Sequence, residues 1–196
     1  MLEKWFFDRL RTEVGRNRTL LVEVLNRLRQ TRTVQRPLIE RRLADGGPVA
    51  AACSARLAVL DAQAAVLAER LGELNASPQM PSAMPYVQFL REGVAGGVGL
   101  SPLECWAFMA VGQAETVELL EGLSTSLPND PRTRSLLLAM LAEERDWFDW
   151  LATQLAPAEG TAALAAARER FRDLYARARV HALTSFLGGG LINFGR

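Results

Sequence analysis

Apolar residues recur at alternating four- and three-residue steps between Val49 and Asn75. In an α-helix, residues spaced in this way share one face. A face of this length is stable only when it is buried against other helices. The pattern therefore predicts a long helix over Val49–Asn75 that supplies one seam of a helical bundle. The residues of the stripe are Cys53, Leu57, Leu60, Ala64, Leu67, Leu71 and Leu74.

A similar spacing predicts an earlier helix over about Leu2–Arg32, which Gly15 interrupts. Pro37 opens a separate short turn that runs through Leu43, and the segment Asp45–Pro48 (Asp-Gly-Gly-Pro) then breaks the chain. Alternating β-branched runs and two-residue hairpin signals are missing from the sequence. We therefore predict an all-α fold.

The segment between Ala76 and Leu100 contains three prolines and four glycines, which exclude one continuous helix. Residues Tyr86–Arg91 are predicted to form a single short helix within it. Most connections between neighbouring helices are only a few residues long. A connection of this length suits a crossover that travels along a bundle before the next long helix begins.

Three further helices have clear start signals. Ser101 is followed by proline and then by Glu104, which is a capping box, and this helix is predicted to run to about Thr125. The next helix is capped by Asp130 and runs from Pro131 to about Leu155, and the last is capped by Thr161 and runs to about Leu187. Residues 1–187 are thus predicted to form a single domain: an antiparallel four-helix bundle with a long crossover between helices two and three and a C-terminal fifth helix.

Residues 188–196 are predicted to be an apolar, glycine-rich tail. The three glycines end the fifth helix and let the chain change direction. Burial of Leu191, Ile192 and Phe194 is worth roughly 1.5–3 kcal/mol per side chain. They are interface candidates for assembly with a neighbouring chain, and packing on their own bundle is the equally weighted alternative.

Composition favours a soluble cytoplasmic protein. The chain is 49% apolar and 23% charged, and no apolar run approaches the roughly 20 residues that span a bilayer. The N-terminal residues lack the order of regions of a signal peptide. Cys53 and Cys105 stand alone in predicted helices, so we expect buried free thiols rather than a disulfide.

Charge is unevenly distributed although the net charge is only +1. Residues 1–42 carry eleven Lys or Arg against five acidic residues, and residues 101–150 carry nine acidic residues against three Arg. The basic residues are interspersed with Leu, Val and Phe, which favours a basic helix side facing an acidic one. No nucleic-acid partner is expected.

Residues Leu141–Leu151 (L-A-E-E-R-D-W-F-D-W-L) come close to the Glu-x-x-His pattern with which helical bundles bind metals. Glu144 stands at the Glu position, and Trp147 stands at the His position. Glu115 precedes Glu144 by the spacing of the second carboxylate in such sites. With the helix order, these residues give a resemblance to the ferritin-like superfamily, in degenerate form.

The resemblance implies a di-metal site, but the imidazole ligands are missing. Ala64 takes the His position in the nearest match of the first half, which begins at Asp61, and the one histidine, His181, lies elsewhere. Either Glu13 or Glu23 fits as a partner carboxylate. We therefore predict no metal and no cofactor; only an atypical site would use Glu115, Glu144 and Asp61.

Three functions follow, in order of preference. The first is a non-catalytic ferritin-like bundle that binds a protein partner or assembles with itself, which makes an enzyme the less favoured class. The second is a di-iron-type oxidoreductase with carboxylate-rich ligands. The third is an amphipathic protein of the membrane surface, suggested by the aromatic residues 5–7 beside arginine and by the apolar C-terminal tail.

Glu144 falls on the apolar stripe of its helix, where an unpaired carboxylate is costly. It is either a remnant ligand or proton-handling group, or a structural residue that pairs with an arginine such as Arg56 or Arg70 or reaches water at the edge of the buried face. If Glu144 is only a structural remnant, Glu144→Gln is expected to be nearly neutral.

Nearby aromatic residues either line a pocket or form part of the core, and core is the preferred interpretation. His181 is expected to be a surface or packing residue. The aromatic residues are Trp106, Phe108, Trp147, Phe148 and Trp150.

Overall fold

The computed structural model describes residues 18–77, 85–94, 99–127 and 129–190. Within these ranges the chain is all-helical and contains no β-strand, as the sequence predicts. Short 3₁₀ turns at Leu43–Asp45 and Ala156–Ala158 extend two of the helix ends. The described ranges contain six α-helices: α1 (Arg18–Arg42), α2 (Gly47–Glu73), α3 (Pro85–Val94), α4 (Pro102–Thr125), α5 (Pro131–Leu155) and α6 (Ala162–Gly190).

Helix α1 continues through Pro37 to Arg42, so the predicted end at Arg32 and the separate turn are wrong. Proline inside a helix removes one hydrogen bond and crowds the preceding turn. Leu38 and Ile39 lie just beyond it and are both completely buried. Their burial holds the helix together past the proline, which local sequence signals did not reveal.

The last helix also runs further than predicted, since Gly188–Gly190 belong to α6. Glycine weakens a helix by about 1 kcal/mol relative to alanine but does not forbid it. The boundary predicted at residue 188 therefore falls inside α6. The interface candidates Leu191, Ile192 and Phe194 lie outside the described residues.

The capped starts predicted for α4, α5 and α6 are confirmed. The start predicted at about Leu2 lies outside the described residues. At α4 the side chain of Ser101 accepts from the backbone of Glu104, and the carboxylate of Glu104 accepts from the backbone of Ser101. Asp130 caps α5 by accepting from the Thr133 backbone at 2.9 Å. The short helix predicted in the long connection is present as α3 and is longer than expected at both ends.

Side-chain contacts give the relative directions of helices α1, α2, α4 and α5. α1 and α2 are antiparallel, because Arg18 near the start of α1 donates to the Leu74 carbonyl that follows α2. α4 and α5 are antiparallel, because Trp106 meets Trp150. α2 and α5 are antiparallel as well. Arg56 contacts Glu144, and Arg70 contacts Asp130.

The two remaining helices pack beside these four. α6 runs parallel to α4: Arg170 donates to Glu104 near the two helix starts at 2.9 Å, and Arg179 pairs with Glu115 further along. α3 lies between α1 and α6, and its Gly93 faces Leu174. The interior is therefore enclosed by helices from both halves of the chain.

The buried apolar residues form two separate clusters. The first cluster, which we call the α3 cluster, contains residues such as Ile39, Leu60, Met109, Trp147 and Phe171. The second, the α1-start cluster, contains Leu25, Leu28, Leu67, Leu120 and Leu141 among others. On each of the helices α1, α2, α4 and α5 a buried polar residue lies between its contributions to the two clusters.

Candidate functional site

A buried polar layer separates the two apolar clusters. It comprises five side chains, which are at most 6% exposed. One comes from α1, two from α2, one from α4 and one from α5. The polar layer consists of Arg32, Arg56, Gln63, Gln113 and Glu144.

Glu144 is the centre of the polar layer. Its Oε2 accepts from Arg56 Nη2 at 2.6 Å, and its Oε1 accepts from Arg32 Nη2 at 3.3 Å. Burial by itself raises the pKa of this carboxyl, but the charges of Arg32 and Arg56 outweigh burial, so the pKa lies below its usual value. Glu144 is thus held as a carboxylate in the interior.

Gln113 fixes Glu144 from α4. Its amide Nε2 donates to the Glu144 carboxylate and, at 2.9 Å, to the Glu144 backbone carbonyl. One side chain therefore holds both the backbone and the carboxylate of the same residue. This contact couples the α4–α5 pair at the level of the polar layer.

Arg32 connects Glu144 to α2 and to the surface. Its Nε donates to Gln63 Oε1 at 3.1 Å, and its Nη1 donates to the Leu28 carbonyl at 3.1 Å. Gln63 in turn donates to Glu143 Oε2 at 2.8 Å, which lies at the outer edge of the layer. Burial lowers the pKa of Arg32, with Arg56 acting in the same direction and Glu144 opposing.

An aromatic stack borders the polar layer next to Arg56. The Arg56 guanidinium carbon lies 5.4 Å from the centre of the Trp147 ring, and Trp147 stacks on Trp150 at 4.6 Å. Trp150 meets Trp106 edge-on at 5.5 Å, and Arg42 lies 5.5 Å over the Trp106 ring. Of these rings only Trp150 is half-exposed. Trp106, Phe108 and Trp147 belong to the α3 cluster and Trp150 packs against it, in agreement with the preferred interpretation of these rings as core. Phe148, the fifth ring of the predicted set, is half-buried.

The three carboxylates proposed for an atypical metal site are not brought together. Asp61 is exposed on the outside of α2 and pairs with Arg36. Glu115 faces α6 and pairs with Arg179, whereas Glu144 faces the polar layer. Within the described ranges no group of three or more His, Cys, Asp or Glu residues is arranged to hold a metal ion.

The predicted arginine partner of Glu144 is confirmed for Arg56 and wrong for Arg70. Arg70 lies almost four helical turns further along α2, where it pairs with Asp130 and Glu73 at 2.8 Å each. Sequence reasoning missed Arg32, Gln63 and Gln113. A signal for Gln63 was present, because this polar residue lies between Leu60 and Leu67 on the buried face of α2.

The remaining candidates lie away from the polar layer. His181 is exposed, and its ring lies 5.4 Å from that of Phe89 at the rim of a shallow depression between α3 and α6. Cys53 and Cys105 are both fully buried free thiols, as predicted. Burial raises the pKa of Cys53 to about 11, so this thiol is not a nucleophile near neutral pH.

No protein-family model, curated protein or solved structure matches this chain significantly.

Among the described helices, α2 is long and apolar enough to cross a membrane when judged by length and composition alone. Its most apolar window has a mean hydropathy of 1.4, and 22% of that window is buried in the protein. The inward face of the same helix carries Arg56 and Gln63.

Proposed function

We propose that this protein is a ferritin-like helical bundle without metal catalysis, which acts as a protein-binding or self-assembling module. The observation that carries the proposal is the pairing of Glu144 with two buried guanidiniums. Glu144 stands at the carboxylate position of the metal-binding pattern, and here it pairs with two arginines instead.

The directions of the helices support the ferritin-like arrangement. With α1 taken as up, its antiparallel contact makes α2 down, the contact of α2 with α5 makes α5 up, and the contact of α5 with α4 makes α4 down. Up-down-down-up order requires a long connection between the second and third bundle helices. The chain has such a connection, and Gln35 of α1 reaches the Met109 carbonyl of α4 at 3.4 Å, as neighbouring helices in this order do.

The charges of the polar layer argue against the oxidoreductase alternative. A divalent cation at Glu144 would lie beside two guanidiniums that are themselves excluded from water, and like charges at such distances repel strongly. The other donors in the layer are amides rather than imidazoles or carboxylates. This donor set suits an internal ion pair better than a di-iron centre.

A metal-loading experiment tests the non-catalytic part of the proposal. The full chain is incubated anaerobically with Fe²⁺ or Mn²⁺, desalted and analysed for metal. We expect well under one metal per chain. Two metals per chain, lost in both Glu144→Ala and Glu115→Ala but kept in the surface variant Glu143→Ala, would overturn it.

The exposed side of α2 supports the assembly part. Its outward positions are largely small and apolar, and Val66 is 45% exposed. Light scattering over a hundredfold range of protein concentration measures the mass of the full chain. A mass of at least two chains supports self-association. A monomer at every concentration contradicts self-association. The partner of this module would then be a different protein.

A further inference from the structure

Three buried hydrogen-bond donors of the polar layer and its border have no partner among the described residues. They are Nε and Nη1 of Arg56 and the indole Nε1 of Trp147. Buried polar groups in folded proteins nearly always have a partner, so an unpaired set of this kind requires an explanation. All three groups are donors, and what they lack is therefore an acceptor.

The buried charges also leave a positive excess at this place. Arg32 and Arg56 are buried with a single buried carboxylate, Glu144. Glu143 reaches the layer only through the Gln63 amide and is exposed to solvent, which screens its charge. A buried cation without full compensation is unfavourable, so negative charge at this place would stabilise the fold.

The unpaired donors belong to two residues in direct contact. The Arg56 guanidinium carbon lies 5.4 Å from the Trp147 ring centre, at the contact between α2 and α5. Trp150 stacks on Trp147 at 4.6 Å between ring centres. Glu144 accepts hydrogen bonds from Arg32 Nη2, Arg56 Nη2 and Gln113. Neither of its oxygens is a hydrogen-bond partner of the three remaining donors.

We propose that this contact binds a small inorganic anion of the halide class between Arg56 and Trp147. A halide accepts hydrogen bonds on all sides and brings one negative charge. It thus accepts from the Trp147 indole and from one of the two unpaired Arg56 donors, which lie on different edges of the guanidinium, and it offsets the positive excess. A water molecule would supply acceptors but no charge, and it would need acceptors for its own two hydrogens. The inference does not depend on the assembly function proposed above.

Thermal unfolding in sodium chloride and in sodium gluconate, compared at equal ionic strength, tests the site. Gluconate is too large for a buried site between two side chains. We expect the melting temperature of the native chain to rise with chloride and to rise clearly less with gluconate. Trp147→Phe removes one donor and keeps an aromatic ring, and it should lose most of this difference. Trp150→Phe in the same stack is the matched control and should keep it.

Crystals soaked in sodium bromide give a second measurement that requires no variant. An anomalous bromide peak in contact with both Arg56 and Trp147 supports the proposal. A site occupied by water alone in bromide-soaked crystals would overturn it. So would equal effects of chloride and gluconate on the native chain, or a chloride effect that Trp147→Phe leaves unchanged.

Discussion

At the residue scale, Glu144 is a buried carboxylate that pairs with two buried guanidiniums from different helices. It pairs with both Arg32 and Arg56, and Gln113 fixes its orientation. A buried ion pair adds little to stability compared with a well-packed apolar contact, but removing one partner leaves an uncompensated charge in the interior. Removing Glu144 would leave the guanidiniums of both Arg32 and Arg56 without a buried counter-charge.

The first prediction therefore concerns Glu144→Gln. The expectation from sequence alone, a nearly neutral change, does not fit the two guanidiniums that surround this carboxylate. We expect the free energy of unfolding to fall by about 3–5 kcal/mol, as for other broken buried pairs. Urea unfolding followed by circular dichroism measures it. Glu143→Gln is the control, because its exposed carboxylate contributes under about 1 kcal/mol. A loss below 1 kcal/mol for Glu144→Gln would contradict the role given to it.

The same carboxylate predicts how stability responds to acid. The pKa of Glu144 is lower in the folded chain than its usual value, so the stabilisation is fully present above about pH 4.3, the ordinary value of a glutamate. It is lost as the pH falls from there through the lowered pKa of the folded state. Unfolding free energies between pH 3 and pH 7 should decline more steeply for the native chain than for Glu144→Gln. Parallel profiles would show that Glu144 has the same pKa in both states.

At the element scale, glycines on different helices differ in the space that is available for a side chain. Gly112 of α4 lies against the Tyr175 ring and hydroxyl of α6, with no room for a Cβ atom. Gly93 of α3 faces the flexible end of Leu174, which can move aside. Gly72 of α2 faces open space. Only the first of these positions sets the distance between two helices.

This difference predicts an order of stabilities for three alanine variants. Gly112→Ala should lower the free energy of unfolding by about 1–3 kcal/mol, because the added methyl group pushes α6 away from α4. Gly93→Ala should cost less. Gly72→Ala should raise it by about 0.5–1 kcal/mol, since alanine favours the helix and nothing blocks it. The melting temperatures of the three variants, measured by thermal unfolding, rank their stabilities. A Gly112→Ala variant as stable as Gly72→Ala would mean that Tyr175 leaves α4 without cost.

At the scale of the whole molecule, the polar layer ties together both halves of the chain. Arg32 and Glu144 are separated by 112 residues in sequence, and Arg56 and Glu144 by 88. The apolar clusters on either side are tolerant of sliding, because apolar contacts are not directional. Hydrogen bonds within the layer are directional, and they favour one register of the four helices over others.

The tail prediction belongs to this scale. Removing residues 188–196 should lower the mass measured by light scattering if Leu191, Ile192 and Phe194 dock on a neighbouring chain, because a few apolar anchors carry most of an interface. The helical signal of the shortened chain should stay intact. An unchanged mass with a lower melting temperature would show instead that the tail packs on its own bundle. Asn193→Ala, which alters the tail without removing an apolar side chain, is the control.

Local signals in the sequence determined the helical class and most helix starts. The capping box at Ser101 and the cap at Asp130 act within a single turn, so they are readable without knowledge of the fold. The spacing of the stripe in α2 likewise identified its buried face: Cys53, Leu60 and Leu67 are all buried. These features depend on residues that are neighbours in sequence.

Only the tertiary structure decided what Glu144 contacts and where α1 ends. Arg32 lies on another helix, far from Glu144 in sequence, and no local sequence pattern around either residue predicts that they pair. Pro37 is a local signal against a helix, and burial of Leu38 and Ile39 by distant residues overrides it. The physical reason is the same in both cases. The energy that settles each outcome comes from contacts between residues far apart in the chain, which sequence spacing does not encode.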